Sequence, residues 1–173
     1  MLRAVNVAGR RVAMPALREL LAGAGYSGAH TYLQSGNVVL ESETSPEQLA
    51  DEARRLISER FCFDVPVIVR TLSELEAVLD HNPFPDGVQT PKFYWVSFLD
   101  AELADERVQW LAGRCKDGEQ FHVHGREIYA WLPDGVGHSK LATAMAAPAK
   151  GVTATARNWN SVRALRAMAA GED

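Results

Sequence analysis

The chain is short of cysteine, of long apolar runs and of positive charge, and each shortage removes a class of protein. Its two cysteines, Cys62 and Cys115, stand far apart in 173 residues and belong to no CxxC pair. They read as two buried free thiols in a reducing compartment, ahead of a disulfide. No apolar stretch approaches the roughly 20 residues that a membrane-spanning helix needs. The N-terminus, Leu2 to Val7, reads as an immediate strand and lacks the charged region, apolar stretch and cleavage site of a leader. A cytoplasmic location is therefore expected.

The formal charge is −4, from 18 basic and 22 acidic side chains, with a pI near 5.7. Eight basic face eleven acidic residues up to position 85, and ten face eleven beyond it. Neither part has the positive field that non-specific nucleic-acid binding draws on. No Gly-x-Ser-x-Gly elbow is present, and neither cysteine has a recognisable partner, so nucleophilic catalysis lacks support. What is there is ordinary for a folded protein: 47% hydrophobic and 23% charged residues, with disorder expected only over 170–173.

Periodicity and turn signals give an element order. Leu2–Val7 predicts a strand, and a helix opens near Met14-Pro15 with Leu17, Leu20, Leu21 and Ala24 on one stripe and Gly25 as its stop. Strands follow at 30–34 and 37–41. Ser45, Pro46 and Gln48 then mark a helix start whose inner face carries Leu49, Ala53, Leu56 and Ile57, and a strand covers 67–70. A second helix start at Thr71 leads into Leu75, Val78 and Leu79. The segment 81–91 holds Pro83, Pro85 and Pro91 and reads as a connector. Beyond it the order recurs: a strand at 92–99, a helix at 102–112, a hairpin of 120–124 with 127–132 through Gly125-Arg126, a short helix near Ser139, and a strand at 152–156. A last helix starts at Asn158 with Trp159, Val162 and Leu165 inward. The expected fold is α+β: two tandem ferredoxin-like (βαββαβ) units with antiparallel sheets and an extra C-terminal helix. The N-terminal unit with its linking helix is 1–80, the connector 81–91, and the C-terminal unit with its terminal helix 92–173.

Three segments carry a family resemblance: Leu2-Arg3-Ala4-Val5-Asn6-Val7-Ala8-Gly9, then Thr31-Tyr32-Leu33-Gln34-Ser35-Gly36-Asn37-Val38-Val39, and Thr155-Ala156-Arg157-Asn158-Trp159-Asn160-Ser161-Val162. Together they resemble the bacterial family known as domain of unknown function 1697. The resemblance spans nearly the whole chain and implies a fold of this kind, with no activity attached. The family's first loop usually carries paired glycines, where this chain has Ala8-Gly9.

The candidate chemistry lies in loops. Gly135, Gly137, Ser139 and Lys140 place Gly-x-Gly between a strand and a helix, with Ser139 as N-cap and a cation in the first turn. Free backbone N–H groups beside a lysine can make an anion site, although the spacing is not that of a Walker A loop and the stretch also reads as a flexible loop with a normal cap. Arg157, Asn158 and Asn160 stand at another strand-to-helix junction, where a guanidinium adds to the pull on an anion. Asn158 and Trp159 are equally an ordinary cap and an ordinary core anchor. Gln34 and Asn37, with Asn6 from the first strand, offer amides for polar recognition, although Ser35-Gly36-Asn37 is also a favoured turn.

His122 and His124 share one face of a strand, but no third ligand has convincing spacing; His138 and Glu127 are loose candidates. No metal or cofactor is expected. The expected function is binding of a small anionic or phosphorylated ligand, with no general base identifiable. The alternative is a nucleic-acid or protein interaction domain using the sheet aromatics Phe93, Trp95, Tyr129 and Trp131, although the signature of RNA-stacking sheets is missing. No membrane partner is expected, and a homodimer is compatible with the sequence.

Overall fold

The computed structural model describes residues 1–7 and 9–172. It is a mixed α/β structure, with two antiparallel sheets and six α-helices among the described residues. They form two units, Met1–Leu72 with the chain from Leu165 onward, and Ser73–Ala164.

In the first unit, α1 (Met14–Gly23) starts with a proline in its first turn and buries Met14, Leu17 and Leu21. It stops where Gly25 turns left-handed at φ 100° and the Tyr26 N–H reaches back to the Leu21 carbonyl (2.9 Å). The start of α2 (Pro46–Phe61) is fixed by Ser45 Oγ, which accepts the Gln48 N–H at 3.3 Å. Leu49, Ala53 and Ile57 face inward, as the spacing requires. Leu2, Val5, Val12 and Val65 join Leu17, Leu21 and Ile57 in one core, where each large apolar side chain contributes about 1.5–3 kcal/mol. Cys62 caps α2 in the left-handed region at φ 62° and is exposed, contrary to the expectation of a buried thiol.

Strands β1 (His30–Tyr32) and β2 (Asn37–Val39) pair antiparallel, His30 opposite Val39 and Tyr32 opposite Asn37. The strands expected at 2–7 and 67–70 reduce to a single bridge between Leu2 and Val67. Left-handed residues at Ala4 (φ 52°) and Asn6 (φ 57°) break the pleat, so the first segment cannot stay in register with a neighbour. It is held instead by the Arg3 N–H on the Pro66 carbonyl (3.0 Å) and the Leu2 N–H on the Gly36 carbonyl (2.8 Å).

The second unit carries β3 (Tyr94–Leu99), α4 (Asp105–Ala112), the hairpin β4 (Gln120–His124) and β5 (Glu127–Trp131), α5 (Lys140–Met145) and β6 (Ala154–Asn158). Its sheet runs β4-β5-β3-β6, antiparallel throughout. On one face Leu99, Ile128, Ala130 and Ala154 pack with Leu111 of α4 and with Leu141, Ala144 and Met145 of α5. The register puts Tyr94, Val96, Phe98 and Tyr129 on the opposite face. There the ring of Trp159, first residue of α6 (Trp159–Ala169), stacks on Tyr94 at 4.4 Å and 6°.

Helix α3 (Leu72–Asp80) lies almost wholly in this unit rather than with the N-terminal one. The reason is polar as well as apolar: the Tyr129 hydroxyl donates to the Val78 carbonyl (3.1 Å) and Arg126 pairs with Glu74 (2.6 Å). Asn82, in the segment read as a connector, accepts both the Phe84 N–H (3.0 Å) and the Tyr94 hydroxyl (2.6 Å), which fastens that segment to the sheet. At the C-terminus, Glu172 pairs with Arg166 and the Ala170 N–H bonds the Arg166 carbonyl (3.0 Å), so 170–172 are ordered, whereas Asp173 lies outside the described residues.

Gly36 has φ +74°, and a Cβ there would stand 2.6 Å from Leu2 Cβ and 2.7 Å from Val5 Cγ2. Gly36→Ala therefore combines left-handed strain with overpacking and is expected to lower stability by about 2–4 kcal/mol in denaturant unfolding. A loss below about 1 kcal/mol would show that the N-terminal segment yields instead of packing.

Candidate functional site

The loop between the first segment and α1 is organised by one side chain. Asn6 Nδ2 donates to the Val12 carbonyl (3.1 Å) and to the Gln34 carbonyl (2.6 Å), and Asn6 Oδ1 accepts the Val12 N–H (3.0 Å). Its own N–H bonds the Arg10 carbonyl at 2.7 Å, and the Arg10 N–H returns to the Val7 carbonyl at 3.1 Å. Asparagine tolerates the left-handed backbone at this position better than almost any residue but glycine. The amide is thus used to close the loop on 34–36, with its side-chain bonds directed at backbone.

A recess of about 380 Å³ opens against this loop, lined by Asn6, Val7, Gly9, Arg10, Arg11 and Gln34. Arg10, Arg11 and Gln34 are exposed. Val7 is 54% exposed, and Leu33, next to Gln34, is 57% exposed with φ 56°. Two guanidiniums, a glutamine amide and an apolar side chain therefore share one rim. Asp64 tempers the field: Arg54 grips its carboxylate (2.6 and 2.7 Å), and Arg54 with the more distant Arg10 holds its carboxyl below the usual range. Asn37 does not join the recess surface. It is buried and its Nδ2 closes the β1–β2 turn on the Tyr32 carbonyl (3.0 Å) and Ser35 Oγ (2.9 Å).

The other predicted residues do not assemble into one site. Ser139 caps α5, accepting the Ala142 N–H at 2.9 Å, so part of the supposed anion cradle is satisfied internally. That helix has six residues and therefore a weak dipole, and Asp134, paired with Lys116 at 2.8 Å, stands just ahead of Gly135. Gly137 and Lys140 are exposed. Arg157 is 6% exposed, donates to Thr155 Oγ1 (2.8 Å) and the Ala156 carbonyl (2.7 Å), and is pushed down to about 10 by burial. It lies opposite Val96, on the sheet face turned away from α5, so it does not share a cleft with the Gly135 loop. Asn158 Oδ1 caps α6 by accepting the Ser161 N–H (2.9 Å), and Asn160 is exposed on the first turn. The sheet aromatics offer little open platform: Tyr129 is 1% exposed, and Phe93, Trp95 and Trp131 are half-buried.

Two of the three segments that carry the family resemblance meet at the Asn6–Gln34 recess, and a family model for proteins of unknown function, DUF1697, matches residues 1–129. The chain belongs to the DUF1697 family. No curated protein matches the sequence. A solved structure, described as that of the conserved bacterial protein SP0830 from Streptococcus pneumoniae, shares the fold, with a TM-score of 0.74 and 20% identity over 98% of this chain and 96% of that one. The DUF1697 match includes the whole N-terminal recess and ends within β5, so Gly135, Lys140 and Arg157 lie beyond it. Ala8, which stands where the family resemblance leads one to expect a glycine, lies outside the described residues.

Sequence reading missed Arg10 and Arg11, whose only signal was an adjacent basic pair in a loop. It also missed His81, which stands beside His122 and His124 at the edge of the second unit's sheet.

Asn6→Ala removes three side-chain hydrogen bonds and a residue suited to positive φ, so a loss of about 2–4 kcal/mol is expected. Asn6→Gly keeps the backbone and should cost less. Thermal unfolding of the pair separates the two contributions, and an Asn6→Ala protein as stable as wild type would show that the amide does not hold the loop.

Proposed function

We propose that the protein binds a small anionic ligand, of the phosphorylated-metabolite or nucleotide class, at the recess of Asn6, Arg10, Arg11 and Gln34. The observation that carries this reading is the gathering of two exposed arginines and a glutamine around one recess built by two segments of the family resemblance. Guanidiniums supply charge and paired donors for an anion, Gln34 an orienting amide, and Val7 an apolar contact for the remainder of the ligand. The Gly135–Lys140 loop and Arg157 stand outside this recess. The alternative of a nucleic-acid platform is less well supported, because the aromatics it needs are largely covered.

The same proposal extends to architecture and location. The order β4-β5-β3-β6 with α4 and α5 on one face supports a ferredoxin-like second unit. The β1–β2 pair and the Leu2–Val67 bridge support a reduced copy of it in the first, hence a tandem pair. Two free thiols support a cytoplasmic setting, and among the described residues no helix is long and apolar enough to cross a membrane.

Differential scanning fluorimetry against inorganic phosphate, nucleotides and sugar phosphates tests the site. At about 100 times Kd a ligand adds about 2.7 kcal/mol, which raises Tm by roughly 5–10 °C. The shift should vanish in Arg10→Ala and Arg11→Ala and survive in Lys140→Ala. No shift with any anion, or one that both arginine variants retain, would sink the reading.

A further inference from the structure

The second unit contains an arrangement that the N-terminal recess does not explain. His122 and His124 alternate onto one face of β4, opposite Tyr129 and Glu127 of β5. His81 arrives from the end of α3, where its N–H continues the helix onto the Ala77 carbonyl at 2.9 Å. The His81 ring stacks on His124 with centroids 3.5 Å apart and lies 5.7 Å from His122. Each residue offers a ring nitrogen, and the three nitrogens lie within 4.8 Å of one another.

Two anchors hold this geometry outside the rings themselves. Tyr129 of β5 and Arg126 of the hairpin turn fasten α3 to the sheet through Val78 and Glu74, so the backbone beneath His81 is held by contacts other than those of the imidazoles. All three histidines are exposed, so their rings can turn without disturbing the core. That freedom matters, because nitrogens around a tetrahedral ion at bond lengths of 2.0–2.1 Å are about 3.3 Å apart.

Beside the rings lies a cavity of about 600 Å³, whose lining includes His81, His124, Glu102 and Glu127. Three imidazoles suit zinc, cobalt or nickel better than calcium or magnesium, which prefer all-oxygen sets. A three-histidine set also leaves one coordination position for water or an exogenous ligand.

We propose that His81, His122 and His124 form a binding site for one zinc-class divalent ion, with its remaining coordination position open to the adjacent acidic cavity. The site belongs to the second unit and is independent of the anion reading. In tag-free protein stripped by a chelator, zinc calorimetry should give one equivalent, and cobalt should develop the absorption of an ion in a nitrogen-containing site. His81→Ala, His122→Ala and His124→Ala should each weaken binding at least tenfold, with circular dichroism unchanged because the rings are exposed. His30→Ala and His138→Ala, which alter histidines outside the cluster, should bind like wild type. Azide should perturb the cobalt spectrum if the last position is open. Absence of saturable binding by either ion, or equal loss in the His138→Ala control, overturns the site. A cobalt spectrum indifferent to azide overturns the open position.

Discussion

The N-terminal segment lies against Gly36 so closely that no side chain fits between them, and the first unit depends on that contact. Leu2 and Val5 enter the core only because the turn after β1 offers bare backbone at φ +74°. Once they are seated, the left-handed turns at Ala4 and Asn6 carry the chain out of the sheet and into a loop. Asn6 then ties that loop to Val12 and to Gln34. A packing constraint on one glycine thus places two arginines beside a glutamine, and a local backbone requirement becomes a recess lined by guanidiniums and an amide.

The second unit is governed by a sheet covered on both faces. Helices α4 and α5 take one side; α3 and the start of α6 take the other, through Tyr129–Val78 and Tyr94–Trp159. Covering both faces buries most of the aromatic surface and separates Arg157 from the α5 loop. It also leaves β4 at the sheet's edge, where His122 and His124 remain accessible and the end of α3 delivers His81 to them.

Sequence patterns with local causes were legible. The cap at Ser45, the stripe of α1, the hairpin around Gly125-Arg126 and the Ser139 and Asn158 caps all have the expected form, because each depends on residues within one or two turns. The strand expected at 2–7 did not form, because apolar content alone cannot reveal two left-handed residues inside it. Among the site candidates, Asn6 and Gln34 do meet, while Asn37 and Arg157 are turned inward; alternation along a strand tells which residues share a face and not which face is covered.

By itself, the sequence determined the helices, the hairpins and the family, since helix periodicity, capping and short motifs are properties of neighbouring residues. Only the tertiary structure decided which polar residues stand together. Arg10 joins Gln34 at one recess through the closure of a loop on a glycine, and His81 meets His122, 41 positions further along the chain, through the docking of α3 on β5. Such meetings depend on long-range packing, and no local spacing in the chain encodes them.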